Sequence, residues 1–314
     1  MKVLVTGVAG FIGSTLAERL LDAGHEVVGI DCFTPYYSRA LKEANMSGFI
    51  ESPRFQFHEA DLRSAEIAPL LNGIEVVVHL AGQPGVRGSF GPDFALYAEH
   101  NILATHRLLE ASRMVRLFVF ASSASVYGSV PVPMREDGPV RPVSPYGVTK
   151  LAAEQLCLQY AAQGLVPAMA FRFFSVYGPR QRPDMAFPRL IRTVLDRDEF
   201  TILGTGDQQR DFTYVGDVVD ALVAALAKGK GGLLLNLGGG HKVSLNHTIA
   251  IVERLAGLKA KIARLPAAAG DMEVTEADAT RLRAELGFAP KTSIEDGLAN
   301  EVEWVRANLK LLRS

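Results

Sequence analysis

The chain has 314 residues and few cysteines: only Cys32 and Cys157, neither in a segment of secretory character. A disulfide framework is therefore excluded as the source of its stability. It has no excess of charge of either sign, since Lys+Arg 33 against Asp+Glu 34 leaves a formal net charge of -1. Nothing global draws it to nucleic acid or to an anionic membrane, so any basic patch has to be local. No apolar run approaches the ~20 residues of a membrane span. The opening MKVLVTGVAGFIGS is apolar but lacks the charged flank and cleavage site of a secretory signal. The seven histidines show no metal-ligand spacing, so no metal site is expected, and no Gly-Lys-Ser/Thr phosphate loop occurs. Internal repeats, low-complexity tracts and charge blocks are absent as well. What remains is the expectation of a soluble, cytoplasmic globule, 48 % hydrophobic and 21 % charged, long enough to bury a large core.

Short apolar runs follow one another at 3–5, 26–30, 55–58, 76–80, 117–121 and 168–174, with helical patterns between them at 11–23, around 101–113 and from about 146. Strands that alternate with helices and are apolar throughout predict an α/β fold, a doubly wound parallel sheet covered on both faces. Ligands bind such sheets at the carboxyl ends of the strands. Past residue 174 the rhythm breaks into segments rich in Pro, Gly and charge, at 175–211 and 262–290. Helices are expected at 215–227 and 243–258, and a strand at 232–237. The expected division is 1–174 plus about 212–240 as a dinucleotide-binding unit, with about 175–211 and 241–314 as a smaller interleaved substrate region. Segment 34–52 reads as a mobile insertion.

Gly7, Gly10 and Gly13 stand between the first strand and the first helix. Glycines there allow a tight turn and close approach of backbone to a pyrophosphate, and the helix N-terminus adds N–H donors and a positive dipole end. The spacing differs from the G-x-G-x-x-G fingerprint. However, Asp31 ends the second strand 18 residues after Gly13, where a carboxylate can accept hydrogen bonds from an adenosine ribose and repel a 2′-phosphate. That favours NAD over NADP. The plainer alternative is a glycine-rich turn with Asp31 capping a strand. The tripeptide Ala60-Asp61-Leu62 and the run from His79 through Leu80, Ala81 and Gly82 to Gln83 each follow a strand, beside adenine and ribose respectively. His79 itself reads as a packed strand-end residue.

The heptapeptide SPYGVTK, 144–150, sets Tyr146 one helical turn from Lys150. A free phenol has a pKa of ~10, so about 0.1 % is phenolate at neutral pH. An ammonium on the same helix face favours the charged form and lowers that value, which would make Tyr146 a general base. The alternative is an ordinary helix start.

The order of Gly7/Gly10/Gly13, Asp31, SSASVYG at 122–128, YGVTK at 146–150, RDFTYVGD at 210–217 and PAAAGD at 266–271 resembles the extended short-chain dehydrogenases/reductases. More narrowly, it resembles their nucleotide-sugar epimerase/dehydratase branch, over nearly the whole chain. The resemblance implies a Rossmann sheet, a bound NAD, Tyr146 as acid/base, Lys150 as its partner and Ser123 hydrogen-bonding the reacting oxygen. It also implies that Phe11, Ile12, Asn101 and Phe174 join the cofactor contacts, and that the chain is a homodimer through the helix that carries Tyr146.

Family dehydratases carry Asp-Glu after the hydroxyl residue, and related decarboxylases usually a Glu at the second of those positions. This sequence has Ala124-Ser125. Epimerisation at C4 through a transient 4-keto sugar needs no further acid. The loop GPRQRPDMAF, 178–187, resembles that of UDP-glucuronate 4-epimerases. Arg182 is then expected to fork onto the C6 carboxylate, with Arg87 a second candidate and Ser125, Ser175, Ala186 and Phe187 on the sugar side. Arg210 resembles the family's diphosphate-binding arginine, and Asp271 its ribose- or uracil-side contact. Ala268 departs from the Arg or long amide usual three residues before that Asp. The expected substrate is a UDP-hexuronate. The alternatives are a neutral-sugar 4-epimerase, a decarboxylase, or a non-catalytic NAD-binding regulator.

Overall fold

The computed structural model describes residues 1–266 and 274–313. Its first part alternates strand and helix: β1 Lys2–Thr6, α1 Phe11–Asp22, β2 Glu26–Asp31, α2 Arg39–Met46, β3 Phe55–Glu59, β4 Val76–His79, α3 Phe94–Ala98, α4 Ala104–Ala111, β5 Leu117–Ser123, α5 Pro145–Ala162 and β6 Ala168–Phe173. A single turn of π-helix, Glu99–Leu103, joins α3 to α4. These strands pair in parallel, and the spatial order β6-β5-β4-β1-β2-β3 reverses between β1 and β4. At that reversal neighbouring connections leave to opposite faces and open a crevice above the strand ends.

Side-chain alternation along β1 shows why the strands are apolar throughout. Val3 and Val5 face a core with Leu16 and Leu20 of α1, whereas Leu4 faces the opposite core with Leu108 of α4 and Cys157 of α5. Each such fully buried Val or Leu contributes roughly 1.5–3 kcal/mol of transfer free energy. Both faces are covered, so neither can be polar.

The remaining elements are β7 Ser175–Tyr177, α6 Ala186–Asp196, β8 Glu199–Leu203, β9 Gln209–Tyr214, α7 Val215–Lys228, β10 Leu234–Leu237, β11 His241–Ser244, α8 Leu245–Ala256, β12 Lys261–Leu265, α9 Thr280–Leu286, α10 Ile294–Ala307 and α11 Leu309–Arg313. β10 returns to the large sheet beside β6 as its seventh strand. β7, β9 and β11 form one small sheet, and β8 with β12 another. A separate core of Tyr177, Phe187, Leu190, Val252, Leu298 and neighbours packs these pieces together.

Two expectations are corrected. The stretch at 243–258 begins as strand β11, and the helix starts only at Leu245, where the Ser244 hydroxyl accepts a hydrogen bond from the His247 N–H at 3.2 Å. Segment 34–52 is not a loose insertion. It contains α2, whose Leu41 joins the separate core of Tyr177 and Phe187 and whose Asn45 donates to the Ala9 carbonyl at 3.0 Å. Among the described residues, no helix is long and apolar enough to cross a membrane.

Candidate active site

A cleft of about 480 Å³ lies over the carboxyl ends of the large sheet. Its floor is the turn after β1. Gly7 sits at φ +70, and a Cβ there would come within 2.9 Å of the Ala81 nitrogen. A Cβ on Gly13 would stand 2.1 Å from the Gly7 carbonyl oxygen, so only glycine lets α1 approach the turn. Gly10 caps α1 without a side-chain hydrogen bond, leaving the first N–H groups of the helix, at Phe11, Ile12 and Gly13, for another acceptor. All five of these residues line the cleft. Asp31, at the end of β2, also lines it, and its carboxylate accepts from the N–H groups of Ala9 at 3.1 Å and Phe33 at 2.9 Å. Asp61, Leu62, Leu80, Ala81, Gly82, Gln83 and Phe174 are on its wall.

Asn101 lines the cleft too, but its amide is engaged by the chain itself. It accepts from the Gln83 N–H at 2.7 Å and donates to the Gln83 carbonyl at 3.1 Å and to Thr149 Oγ1 at 3.0 Å. The π turn sets it where it braces the loop after β4 against α5. His79 is fully buried between Thr6 Oγ1 at 2.7 Å and Thr105 Oγ1 at 2.9 Å. Burial, helped by the Lys150 ammonium, holds its pKa down to about 3, so it stays neutral and structural.

Ser144 Oγ accepts from the Gly147 N–H at 3.1 Å and starts α5, with Pro145 in the first turn. A Cβ on Gly147 would meet the Ser125 carbonyl oxygen at 2.5 Å. This glycine lets α5 come down onto the end of β5, where Ser123 reaches the Tyr146 hydroxyl. Burial raises the Tyr146 pKa, and the Ser123 hydrogen bond and the Arg182 charge lower it. Lys150 stands one turn further along α5. Its ammonium lies 4.5 Å over the Phe120 ring, and burial holds its own pKa down to about 8.

Beneath this pair lies a constellation with no motif of its own. Glu154, another turn along α5 and fully buried, accepts from Ser122 Oγ at 2.6 Å and from Arg172 Nε at 3.0 Å and Nη2 at 2.7 Å. It ties α5 to β5 and β6. The repeat 146, 150, 154 is the only sequence trace of it.

On the substrate side Ser125, Ser175, Arg182 and Arg210 line the cleft. The GPRQRPD loop is pinned by Arg180 to Glu18 at 2.8 Å and by Gln181 to the Val176 carbonyl at 2.8 Å. Other residues fall elsewhere. Phe187 turns into the separate core around Tyr177 and Leu190, its ring 4.6 Å from that of Phe212. The exposed Ala186 only opens α6, and Met185 just before it faces the cleft instead. Arg87 is exposed and outside the lining, which Val86 joins. Asp271, like Ala268, lies outside the described residues. Tyr36, Tyr37, Lys42 and Thr275 line the cleft with no prior signal in the sequence.

Residues 3–238 match the sequence profile of the NAD dependent epimerase/dehydratase family. The chain belongs to that family. A Bacillus subtilis (strain 168) protein named "Uncharacterized UDP-glucose epimerase YtcB" is 45 % identical over 309 residues, 97 % of this chain and 98 % of that one. A UDP-glucuronate 4-epimerase of Thermodesulfobacterium geofontis (strain OPF15) is 38 % identical over 318 residues, 99 % and 98 %. Among solved structures, the UDP-glucuronic acid 4-epimerase from Bacillus cereus in complex with UDP-glucuronic acid and NAD superposes with a TM-score of 0.95. Its identity is 42 %, covering 98 % of this chain and 99 % of that one.

The cleft fits what an epimerase/dehydratase has to hold. The cradle at Gly7 and Gly13 has no room for a Cβ, so a pyrophosphate can lie against backbone. The uncapped end of α1 offers it N–H donors, and the Asp31 carboxylate offers acceptors to a ribose.

Proposed function

We propose that this chain interconverts UDP-glucuronate and UDP-galacturonate by NAD-dependent epimerisation at C4. The observation that carries the reading is the Arg182 guanidinium, which lines the cleft near enough to the Tyr146 phenol to lower its pKa. A fork of N–H donors there suits a carboxylate, and in a hexuronate the C6 carboxylate is two bonds from C4.

Gly7, Gly10, Phe11, Ile12 and Gly13 hold the pyrophosphate, Asp31 the adenosine ribose, and Asp61 and Leu62 the adenine. Leu80, Ala81, Gly82, Gln83 and Phe174 line the other half, with Asn101 bracing Gln83. Bound NAD supplies a reversible two-electron oxidant. Tyr146 takes the C4 hydroxyl proton and later returns it, and Ser123 hydrogen-bonds the reacting oxygen. Lys150, protonated near neutral pH, supplies a buried positive charge one turn away. Arg182 holds the C6 carboxylate out of line with the C4 carbonyl, so that the 4-keto sugar, a β-keto acid, keeps its CO2. Arg210 offsets the diphosphate charge, and Ser125 and Ser175 hydrogen-bond the sugar. Residues 175–211 and 241–314 act mainly as the substrate lobe, although α9 packs on the large sheet through Leu282 and Leu286.

A homodimer through the face that carries Phe94, Leu103 and Val148 is part of this reading, since these apolar side chains on α3, the π turn and α5 are exposed. So is a cytoplasmic location, in keeping with two free thiols.

Incubation with NAD and UDP-glucuronate, followed by chromatographic separation, is expected to yield UDP-galacturonate. Turnover of UDP-glucose instead would make Arg182 incidental. Release of CO2 with a UDP-pentose would indicate a decarboxylase, and no turnover of any UDP-sugar a cofactor-binding protein without catalysis.

A further inference from the structure

Arg182 already has a carboxylate in its fork. Its Nε donates to Asp184 Oδ1 at 3.0 Å and its Nη2 to Asp184 Oδ2 at 3.0 Å. This is the two-point arrangement a substrate carboxylate would take. Asp184 is not buried with it: the Asp184 side chain is 42 % exposed and the Arg182 side chain 21 %, so the acid can swing into water while the arginine keeps its place. Tyr36 completes the arrangement from the other side of the cleft. Its hydroxyl donates to Asp184 Oδ2 at 3.3 Å, and its ring lies 5.3 Å under the Arg182 guanidinium. Burial and the Asp184 charge raise the phenol's pKa, which keeps that hydroxyl a donor.

We propose that Asp184 is an internal stand-in for the substrate carboxylate, occupying the Arg182 fork until a hexuronate displaces it, and that it thereby sets the selectivity between uronate and neutral sugars. The inference rests on the reading of Arg182 as the carboxylate-binding residue. The physical argument is an exchange. When a uronate enters, one carboxylate replaces another, and the ion pair lost to Asp184 is subtracted from the affinity. When a neutral sugar enters, Asp184 stays, and Arg182 is not left as a desolvated, unpaired charge. Asp184 therefore weakens binding of the charged substrate and eases that of the neutral one, narrowing the difference between them.

The test compares wild type, Asp184→Asn, Tyr36→Phe and Arg182→Ala, each with UDP-glucuronate and with UDP-glucose. KM and kcat are measured, and equilibrium binding is measured in a Tyr146→Phe background so that turnover does not intrude. Asp184→Asn is expected to lower KM and Kd for UDP-glucuronate roughly fivefold, about the worth of a half-exposed ion pair, and to leave those for UDP-glucose unchanged or raised. The effect should fall on KM rather than kcat. Tyr36→Phe, which removes one donor to Asp184, should shift each sugar in the direction that Asp184→Asn shifts it, by a smaller factor. A KM for UDP-glucuronate that rises or stays level in Asp184→Asn, while Arg182→Ala weakens its binding, would overturn the stand-in and leave the carboxylate site intact. UDP-glucuronate binding that is unaffected by Arg182→Ala would overturn both. Equal changes for the two sugars would show that Asp184 only orients the loop.

Discussion

At Tyr146 opposing effects meet on one oxygen. Burial raises its pKa, while a serine and an arginine lower it. A phenylalanine keeps the packing and removes the proton acceptor, so Tyr146→Phe is expected to lose roughly 10²–10⁴-fold in turnover and still retain NAD. Measuring turnover and bound NAD on the same sample checks this, and undiminished activity would take the phenol out of the mechanism. Lys150 makes a different prediction. Its pKa is held at about 8 against an ordinary 10.5, so from about pH 8 to 10.5 the unfolded chain binds more protons than the folded one. Its contribution to stability is therefore unfavourable at neutral pH and is relieved as pH rises through that window. In the cofactor-free protein, Lys150→Met should be more stable than wild type at pH 7 by roughly 3 kcal/mol, with the gap closing by about pH 10. Urea denaturation at the two pH values reads this directly, and a pH-independent gap would contradict it.

At the scale of the element, α5 brings the chemistry together because two features let it sit low on the sheet. Gly147 has no Cβ to strike the Ser125 carbonyl, and Glu154 is fastened to Ser122 and Arg172. Gly147→Ala is expected to displace α5 and cut kcat more than tenfold, since near-attack geometry is lost with shifts of about 1 Å. NAD binding at the far end of the cleft should change less. Glu154→Ala leaves Arg172 charged and unpaired in the core, which should cost about 3–5 kcal/mol of stability, measured by denaturant titration. The glycine stands in YGVTK, but its approach to the Ser125 carbonyl appears only in the fold. The ion pair could not be read in advance, because Glu154 lies on α5 and Arg172 on β6, and only the packing of that helix on β5 and β6 brings them together.

At the scale of the molecule, the large sheet is the part most legible in the chain. Apolar strands at regular intervals imply burial on both faces, and that alone places ligands above the strand ends. The second lobe was legible only as a change in composition. Its strands are short, and β11 merges into the helix after it, so periodicity cannot separate them. α2 was misread for a related reason: Leu41 belongs to a core whose other buried members, Tyr177 to Leu312, lie more than a hundred residues away. The exposed Phe94, Leu103 and Val148 carry the prediction at this scale. The double variant Leu103→Asp/Val148→Asp should shift the protein from dimer to monomer in sedimentation equilibrium without unfolding it, and an unchanged mass would reject that face as the contact.

The sequence by itself determined the kind of machine: glycines where backbone packs too closely for a Cβ, an acid at the second strand's end, and a phenol and an amine one turn apart. These are local requirements, satisfied within a few residues of chain. Only the tertiary structure decided which charges meet. Arg182 comes within range of the phenol from a distant loop, Asn101 braces a loop, and Phe187 packs inward. Each outcome depends on burial and on neighbours that are distant along the chain, and short-range spacing carries no record of either.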